Sequence, residues 1–409
     1  MSGGVHKSSV SLGDGSLIAN HMPELDVFRG VAVLMVLHCH MFTAYSKGSL
    51  WTLDTGSAVS AVLRAAVSIA SPLGWLGVQL FFVLSGFLIT GILIDTRTQP
   101  RFYSKFYARR TVRILPAYIL CLLSLVLLGW TSWGFPAWRV GQVICCLSFA
   151  ANLTPLFGMP LLYGPLWSLA VEEHFYMLWP MVVKNCHRRL GAICVTVVVA
   201  EIGLRWLARS EVPAEEILTL TWFNLDGLAI GAFTGLMLRR NHNAPRRVAT
   251  YAHLNGVIAV GSLVGLQSLG QLLRATFGGI VFGPTAWSLL FAMCILLAVI
   301  ARSRRPSLWV APWPFGIFRW FGFISYGLYL IHMMVMQLAD HFLSGLVYPA
   351  DFASHRLRDV VVRYAVIAVS ASALAFLSRI TYEQFFLSRK AAAEAVFFRW
   401  FGRHGAING

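Results

Sequence analysis

The sequence predicts an all-α polytopic membrane protein with about ten transmembrane helices and both termini in the cytoplasm. Three observations carry this. The chain of 409 residues is 57% hydrophobic and only 12% charged, about half the charge of an ordinary soluble domain. Its mean hydropathy is +0.67. Its apolar residues fall in repeated runs of about 20, the length that crosses the roughly 30 Å hydrocarbon core of a bilayer. The short alternating strands of a membrane β-barrel are missing from the pattern.

The first run covers about 25–45 and opens with Glu24, Asp26 and Arg29. A polar loop follows at 46–72, then runs at about 73–95 and 111–130, the latter with Pro116 in its early turns, where proline is tolerated. Later runs fall at about 165–183, 190–208, 221–238, 250–270, 278–300, 318–338 and 360–380. Segment 137–157 is apolar enough to cross but contains Arg139, Asn152 and Pro155. If it stays out of the membrane core, 23 of the 33 Lys and Arg residues fall on the side of the termini and seven on the other. If it crosses, that asymmetry largely vanishes. The positive-inside rule therefore favours ten crossings, with 137–157 as an outer-face or re-entrant element.

Residues 1–23 read as a flexible cytoplasmic tail without a cleavable signal pattern, 24–388 as the membrane domain, and 389–409 as a basic cytoplasmic tail. The net charge of +16 is that of cytoplasmic loops, not of a nucleic-acid binder. The seven cysteines form no Cys-x-x-Cys pair and no cluster with zinc spacing, so neither a metal site nor a disulfide framework is expected.

Helical geometry sorts the ionisable groups of the first run. From Arg29 to His40 is about 1100° of rotation, roughly 20° past three turns, and Asp26 to His40 falls about 40° short of four. Asp26, Arg29 and His40 thus share one stripe. His38 lies about 180° from Arg29 and reads as a packing residue. The rise from Arg29 to His40 is about 16 Å. Ionisable groups at this depth are costly, roughly 2.5 kcal/mol or more for a full charge, and tend to mark function. The plainer alternative is an interfacial ion pair below a histidine bonded to a neighbouring helix.

These residues carry a family resemblance. Leu25-Asp26-x-x-Arg29-Gly30 with His40 resembles the opening motif of the acyltransferase-3 family of membrane acyltransferases. Similar segments follow in order: Gly77 to Thr90, Phe106 to Tyr118, Trp167 to Pro180, Leu225-Asp226-Gly227, and Ile324 to His332. Two positions depart from the family's usual pattern, His174 in place of Gln and Gln79 where Asp is frequent. Some relatives carry a fused extracytoplasmic SGNH-type hydrolase domain. None is read in these 409 residues, which would leave the acceptor to the membrane domain, to 137–157 or to a partner.

The resemblance implies transfer of an acyl group, usually acetyl, from acyl-CoA to a hydroxyl. Acceptors are saccharides, lipid-linked glycans or glycosylated small molecules, and the setting is a multi-pass protein of the cell membrane among its lipids. No tightly bound cofactor is expected. A thioester is already activated, so the remaining task is to deprotonate an alcohol and stabilise an oxyanion. His40 is the expected base or acyl carrier, with Asp26 orienting Arg29. Arg109, Arg110 and Arg113 are expected to meet the donor, although the positive-inside rule and anionic lipid explain them equally. The adjacent intramembrane carboxylates Glu172 and Glu173 are expected to bind acceptor hydroxyls or to pair with His40. Trp167, Ser168, Tyr176, Tyr326 and His332 are the expected acceptor-side contacts. A transporter or flippase of a glycan or small molecule is the rival reading, and oligomeric state is not legible.

The helical phase is directly testable. His40→Ala should abolish acyl transfer while His38→Ala keeps much of it, read as CoA released from acyl-CoA. Equal loss from both would overturn the assignment of faces.

Overall fold

A computed structural model describes residues 17–19, 21–46, 73–272, 276–347 and 357–405. Among these residues the fold is helical and contains no β-strand. The helices that matter are α1 (Pro23–Ser46), α2 (Leu76–Thr96), α3 (Phe102–Leu128), α4 (Val140–Leu147), α5 (Pro165–Asn185), α6 (Leu190–Ala208), α7 (Asp226–Arg240), α8 (Pro245–Ser268), α9 (Gly283–Arg304), α10 (Phe315–Leu343), α11 (Leu357–Ser378) and α12 (Lys390–Gly405). The loop expected at 46–72 lies almost wholly outside the described residues.

Each of the ten apolar runs is a helix. By length and hydropathy, seven described helices are able to cross a bilayer: α2, α3, α6, α8, α9, α10 and α11 with its continuation to Leu387. The other three runs are α1, α5 and α7. Helix α1 carries Glu24, Asp26 and Arg29, and α5 carries Glu172, Glu173 and Lys184. Helix α7 has 15 residues, about 22 Å at 1.5 Å per residue. Segment 137–157 breaks into α4, of eight residues, and a 3₁₀ turn over Ala151–Phe157. Neither is long enough to cross.

Two parallel helix pairs organise the bundle, and glycine makes both possible. On α1, a Cβ at Gly30 would lie 1.9 Å from the Phe318 carbonyl oxygen. On α10, a Cβ at Gly322 would lie 2.0 Å from that of Asp26. The backbones of α1 and α10 therefore touch, and the helices run in the same direction. Helices α2 and α7 repeat the device. A Cβ at Gly86 would sit 2.0 Å from the Leu228 carbonyl oxygen and one at Gly231 would sit 2.1 Å from that of Val83. Lipid tails offer no hydrophobic contrast to drive helices together, so close approach over small residues supplies the packing energy instead.

Buried charges are tied across these elements. Arg205 on α6 donates to Asp226 at 2.6 Å, and Thr285 on α9 donates to the same carboxylate oxygen at 2.6 Å. Glu201 accepts the backbone N–H groups of Leu225 and Asp226, each at 2.7 Å, which satisfies the otherwise orphaned start of α7. Arg363 on α11 grips Asp340 on α10 at 2.5 and 2.7 Å. Arg302 on α9 pairs with Glu24 on α1 at 2.7 Å.

The structure revises three expected boundaries. Helix α3 begins at Phe102, not near 111, so Pro116 lies mid-helix. The carbonyls around it find tyrosines, with the Tyr326 hydroxyl donating to Ile114 at 2.8 Å and Tyr382 to Pro116 at 3.3 Å. At the amino end, Leu17 is buried rather than part of a loose tail. Its N–H donates to the His242 carbonyl at 3.0 Å, and its carbonyl accepts from Arg302 at 2.7 Å. At the carboxyl end, the basic tail contains α12, packed on α3 through an Arg109–Glu394 ion pair of 2.7 Å and Arg101 stacked 3.7 Å over Phe398.

The crossings make a stability prediction. Gly231→Val should cost about 1–3 kcal/mol by overpacking and lower the melting temperature of the purified protein. Gly203→Ala, whose new Cβ meets nothing within 4 Å, should leave it unchanged. Equal melting temperatures for the two variants would show that the α2–α7 crossing yields freely.

Candidate active site

Three cavities follow one another through the centre of the bundle. The largest, 750 Å³, lies among α3, α10, the turn after α11 and the start of α12. Lys105, Arg109, Arg110, Arg113, Arg379 and Lys390 line it, against the carboxylates Glu383 and Glu394. A chamber of 110 Å³ adjoins it and shares Arg110, Arg113, Ser325 and Tyr326 with it. Arg29, Ser85, Ser168, Glu172 and Tyr176 also face this chamber. A third cavity, of 80 Å³, shares Val78 and Tyr329 with the chamber. His40, Trp75, Gln79, Trp167 and Asn224 line it. The shared residues make the three spaces neighbours in series.

Helix α1 places its charged stripe along this series, as its periodicity requires. Arg29 reaches the middle chamber and His40 the third cavity. Asp26 accepts from Arg29 at 3.0 Å and contacts His21 Nε2 at 3.1 Å, lining none of the three cavities. It holds the guanidinium in place rather than facing a ligand. His38 points to α11, its ring 6.2 Å from that of Tyr364.

The partner of His40 is not the one expected. Its Nδ1 lies 2.9 Å from Nε2 of His332 on α10. Nδ1 of His332 in turn lies 2.8 Å from the Tyr329 carbonyl oxygen and 3.2 Å from that of Leu328. His332 is 1% exposed and lines none of the cavities, so the geometry gives it a different place from the acceptor contact expected.

The two carboxylates of α5 part company. Glu172 faces the middle chamber with Arg29, where it accepts from Ser85 at 3.0 Å and from the Tyr176 hydroxyl at 2.8 Å. Neither it nor Glu173 pairs with His40. Glu173 lines none of the three cavities, and its Oε1 is buried without a hydrogen-bond partner. One residue of rotation is about 100° on a helix, and here it turns Glu173 away from the chamber that Glu172 faces.

The remaining expected residues do gather here. Arg109, Arg110 and Arg113 all line the large cavity, and Arg110 stacks 4.9 Å over the Tyr176 ring. Trp167 stands in the His40 cavity. Ser168 meets the Tyr329 hydroxyl at the boundary between the chamber and that cavity. Tyr326 lines both the large cavity and the chamber.

Two more lining residues join the expected set: Gln79, which the sequence marks only as a departure from the family pattern, and Tyr329. Gln79 is 3% exposed, and its Oε1 is buried without a partner in the His40 cavity. A polar residue in an otherwise apolar run, Gly77-Val78-Gln79-Leu80, was the available signal. His174 serves elsewhere, its Nδ1 lying 2.7 Å from the Thr221 hydroxyl.

The arrangement offers a wide cationic opening, a narrow polar passage and an imidazole at its end. That combination can hold a polyanion at one end and move a proton at the other.

The chain is 24% identical over 348 residues to the peptidoglycan O-acetyltransferase of Listeria monocytogenes, covering 78% of this chain and 50% of that protein. It is 25% identical over 357 residues to a putative peptidoglycan O-acetyltransferase of Bacillus subtilis, covering 78% and 49%. A putative O-acetyltransferase of Staphylococcus aureus is 25% identical over 349 residues, covering 79% and 52%. The chain thus spans about half the length of the curated relatives it matches. No solved structure matches it. The family profile described as an acyltransferase domain matches residues 22–380, and the chain belongs to that acyltransferase-3 family.

Proposed function

We propose that this protein is an O-acyltransferase of the cell membrane that moves a short acyl group, acetyl above all, from acyl-CoA to a hydroxyl of a saccharide. The observation that carries this reading is the series of cavities from the arginine-lined opening to His40. The relatives named as O-acetyltransferases support the reaction class, and those named for peptidoglycan support a glycan of the cell surface as acceptor.

In this reading ten helices cross the membrane and both termini are cytoplasmic. The parallel run of α1 with α10, and of α2 with α7, has the parity this topology requires. One further crossing at 137–157 would turn α1 against α10. The large cavity then opens to the cytoplasm, where the nucleotide phosphates of CoA meet Arg109, Arg110, Arg113 and Lys105. The pantetheine arm extends through the chamber past Arg29 and Glu172. The acceptor reaches His40 from the outer side, against Trp75, Trp167, Gln79 and Asn224. An 80 Å³ cavity beside His40 suits a short acyl group and one hydroxyl, not a long chain.

His40 takes the proton of the acceptor hydroxyl as the oxygen attacks the thioester carbonyl. The carbon–sulfur bond then breaks, and the thiolate recovers the proton from His40. Glu172, held by Ser85 and Tyr176, shapes the passage and does not touch His40.

Purified protein with acetyl-CoA and an N-acetylglucosamine oligomer as acceptor probe should release CoA. His40→Ala should lower that rate about 10²–10⁴-fold, the usual contribution of a positioned base. Arg110→Ala should raise the KM for acetyl-CoA about tenfold, since a charge-assisted hydrogen bond is worth about 1.5–3 kcal/mol. Absence of CoA release with every hydroxyl acceptor, together with glycan counterflow in liposomes, would replace the enzyme with a transporter.

A further inference from the structure

Two helices, α1 and α10, are tied at one point by the two histidines, and the bonding fixes where protons sit. Nδ1 of His332 faces two backbone carbonyl oxygens, at 2.8 and 3.2 Å. A carbonyl oxygen only accepts, so this nitrogen carries the hydrogen. A neutral imidazole holds one N–H, which leaves Nε2 of His332 as an acceptor. Nδ1 of His40 lies 2.9 Å from that Nε2 and must therefore donate. His40 then keeps its lone pair on Nε2.

We propose that His332 is a positioning residue that locks His40 in the Nδ1–H tautomer, so that Nε2 is the nitrogen that exchanges protons with substrate. This inference rests on the acyl-transfer reading for its chemistry, although the tautomer itself does not.

The logic is that of an orienting group behind a catalytic base, with a neutral acceptor in place of a carboxylate. The hydroxyl proton moves to His40 Nε2 while the acceptor oxygen bonds to the thioester carbon. His40 becomes a cation that still donates from Nδ1 to His332. Expulsion of the thiolate returns the proton from Nε2 to sulfur, and the imidazole is again neutral. His332 neither gains nor loses a proton.

The backbone is what makes this arrangement rigid. The two carbonyls belong to residues one turn earlier on α10, so the imidazole of His332 is held by its own helix. That helix is in turn pressed against α1 at Gly30 and Gly322. His40 inherits its ring orientation from a contact two glycines away.

Among the described residues, two further titratable groups line the His40 cavity. Helix α10 contributes Tyr329, whose ring lies 6.0 Å from that of His332, and α1 contributes Cys39. Helices α2 and α5 present Gln79 and Trp167, neither of which titrates. The Arg363–Asp340 pair lies beyond, with Arg363 donating to the Met41 carbonyl at 3.3 Å.

The test has two arms on the full-length protein. Nitrogen-15 NMR of histidine-labelled protein, differenced against His40→Ala, reads the tautomer without any turnover. An unprotonated Nε2 on His40 is expected, and an Nε2–H there overturns the proposal while leaving acyl transfer intact. The second arm measures CoA release from acetyl-CoA with the N-acetylglucosamine oligomer across pH. His332→Ala should lower kcat about 100-fold, within the span of general-base effects, and leave the KM for acetyl-CoA within about twofold. His332→Gln places an amide carbonyl where Nε2 stood and should recover the rate to within about tenfold of wild type. His332→Glu supplies an acceptor with charge and should move the acid limb of the kcat/KM profile upward by about one unit. A wild-type rate for His332→Ala overturns the proposal. So does a failure of His332→Gln to exceed His332→Ala when the two melt alike. Wild-type protein with the expected tautomer but no CoA release would instead remove the acyl-transfer reading.

Discussion

Backbone meets backbone where α1 crosses α10, and most of the site follows from that contact. Gly30 and Gly322 remove the side chains that would hold the two helices apart. Once the axes are that close and parallel, residues ten further along each chain must also be neighbours, and those residues are His40 and His332. The same crossing explains why Asp26 and Arg29 stay paired at the lower end, since the helix that supports them cannot slide. In a lipid surround with no hydrophobic force between helices, such contacts supply much of what fixes register.

The bundle treats its charges in two ways. Arg205, Arg302 and Arg363 are each bound to a carboxylate on another helix, which is how a charge persists at low dielectric. Arg110 and Arg113 differ. They face open volume on both sides of a shared wall, and Arg110 rests on an aromatic ring rather than on a carboxylate. The division separates cations that hold the fold together from cations placed where a ligand can reach them. Glu172 fits neither pattern: it faces the chamber, and its carboxylate is satisfied by the Ser85 and Tyr176 hydroxyls.

Much of this was legible in the sequence, for definite reasons. A single helix has a fixed angular period, so the stripe of Asp26, Arg29 and His40 and the opposite facing of His38 could be read from spacing alone. Pairing between helices has no such period. Nothing along α1 names His332, and nothing along α5 tells Glu172 from Glu173, because both depend on where helices cross. Glycines carry part of that information: Gly30 and Gly322, Gly86 and Gly231 each mark a crossing. Hydropathy also marks where a membrane begins, not where a helix does. Helix α3 therefore starts nine residues before its apolar run, its arginines facing a water-accessible cavity. The stretch from Lys390 onward opens with Ala391, Ala392 and Ala393, strong helix formers, and forms a helix despite the basic charge that makes it resemble a tail.

Helix α12 carries a consequence for how the large cavity fills. Glu394 already sits on Arg109 at the rim, at 2.7 Å. A polyanion arriving there does not meet a bare guanidinium. It exchanges with an acid that the chain itself supplies, tethered and thus always at high local concentration. Filling the cavity is then ion exchange, not simple attraction. Added salt screens the incoming anion and the resident carboxylate together, and the rim works as a buffer that flattens the response of occupancy to ionic strength.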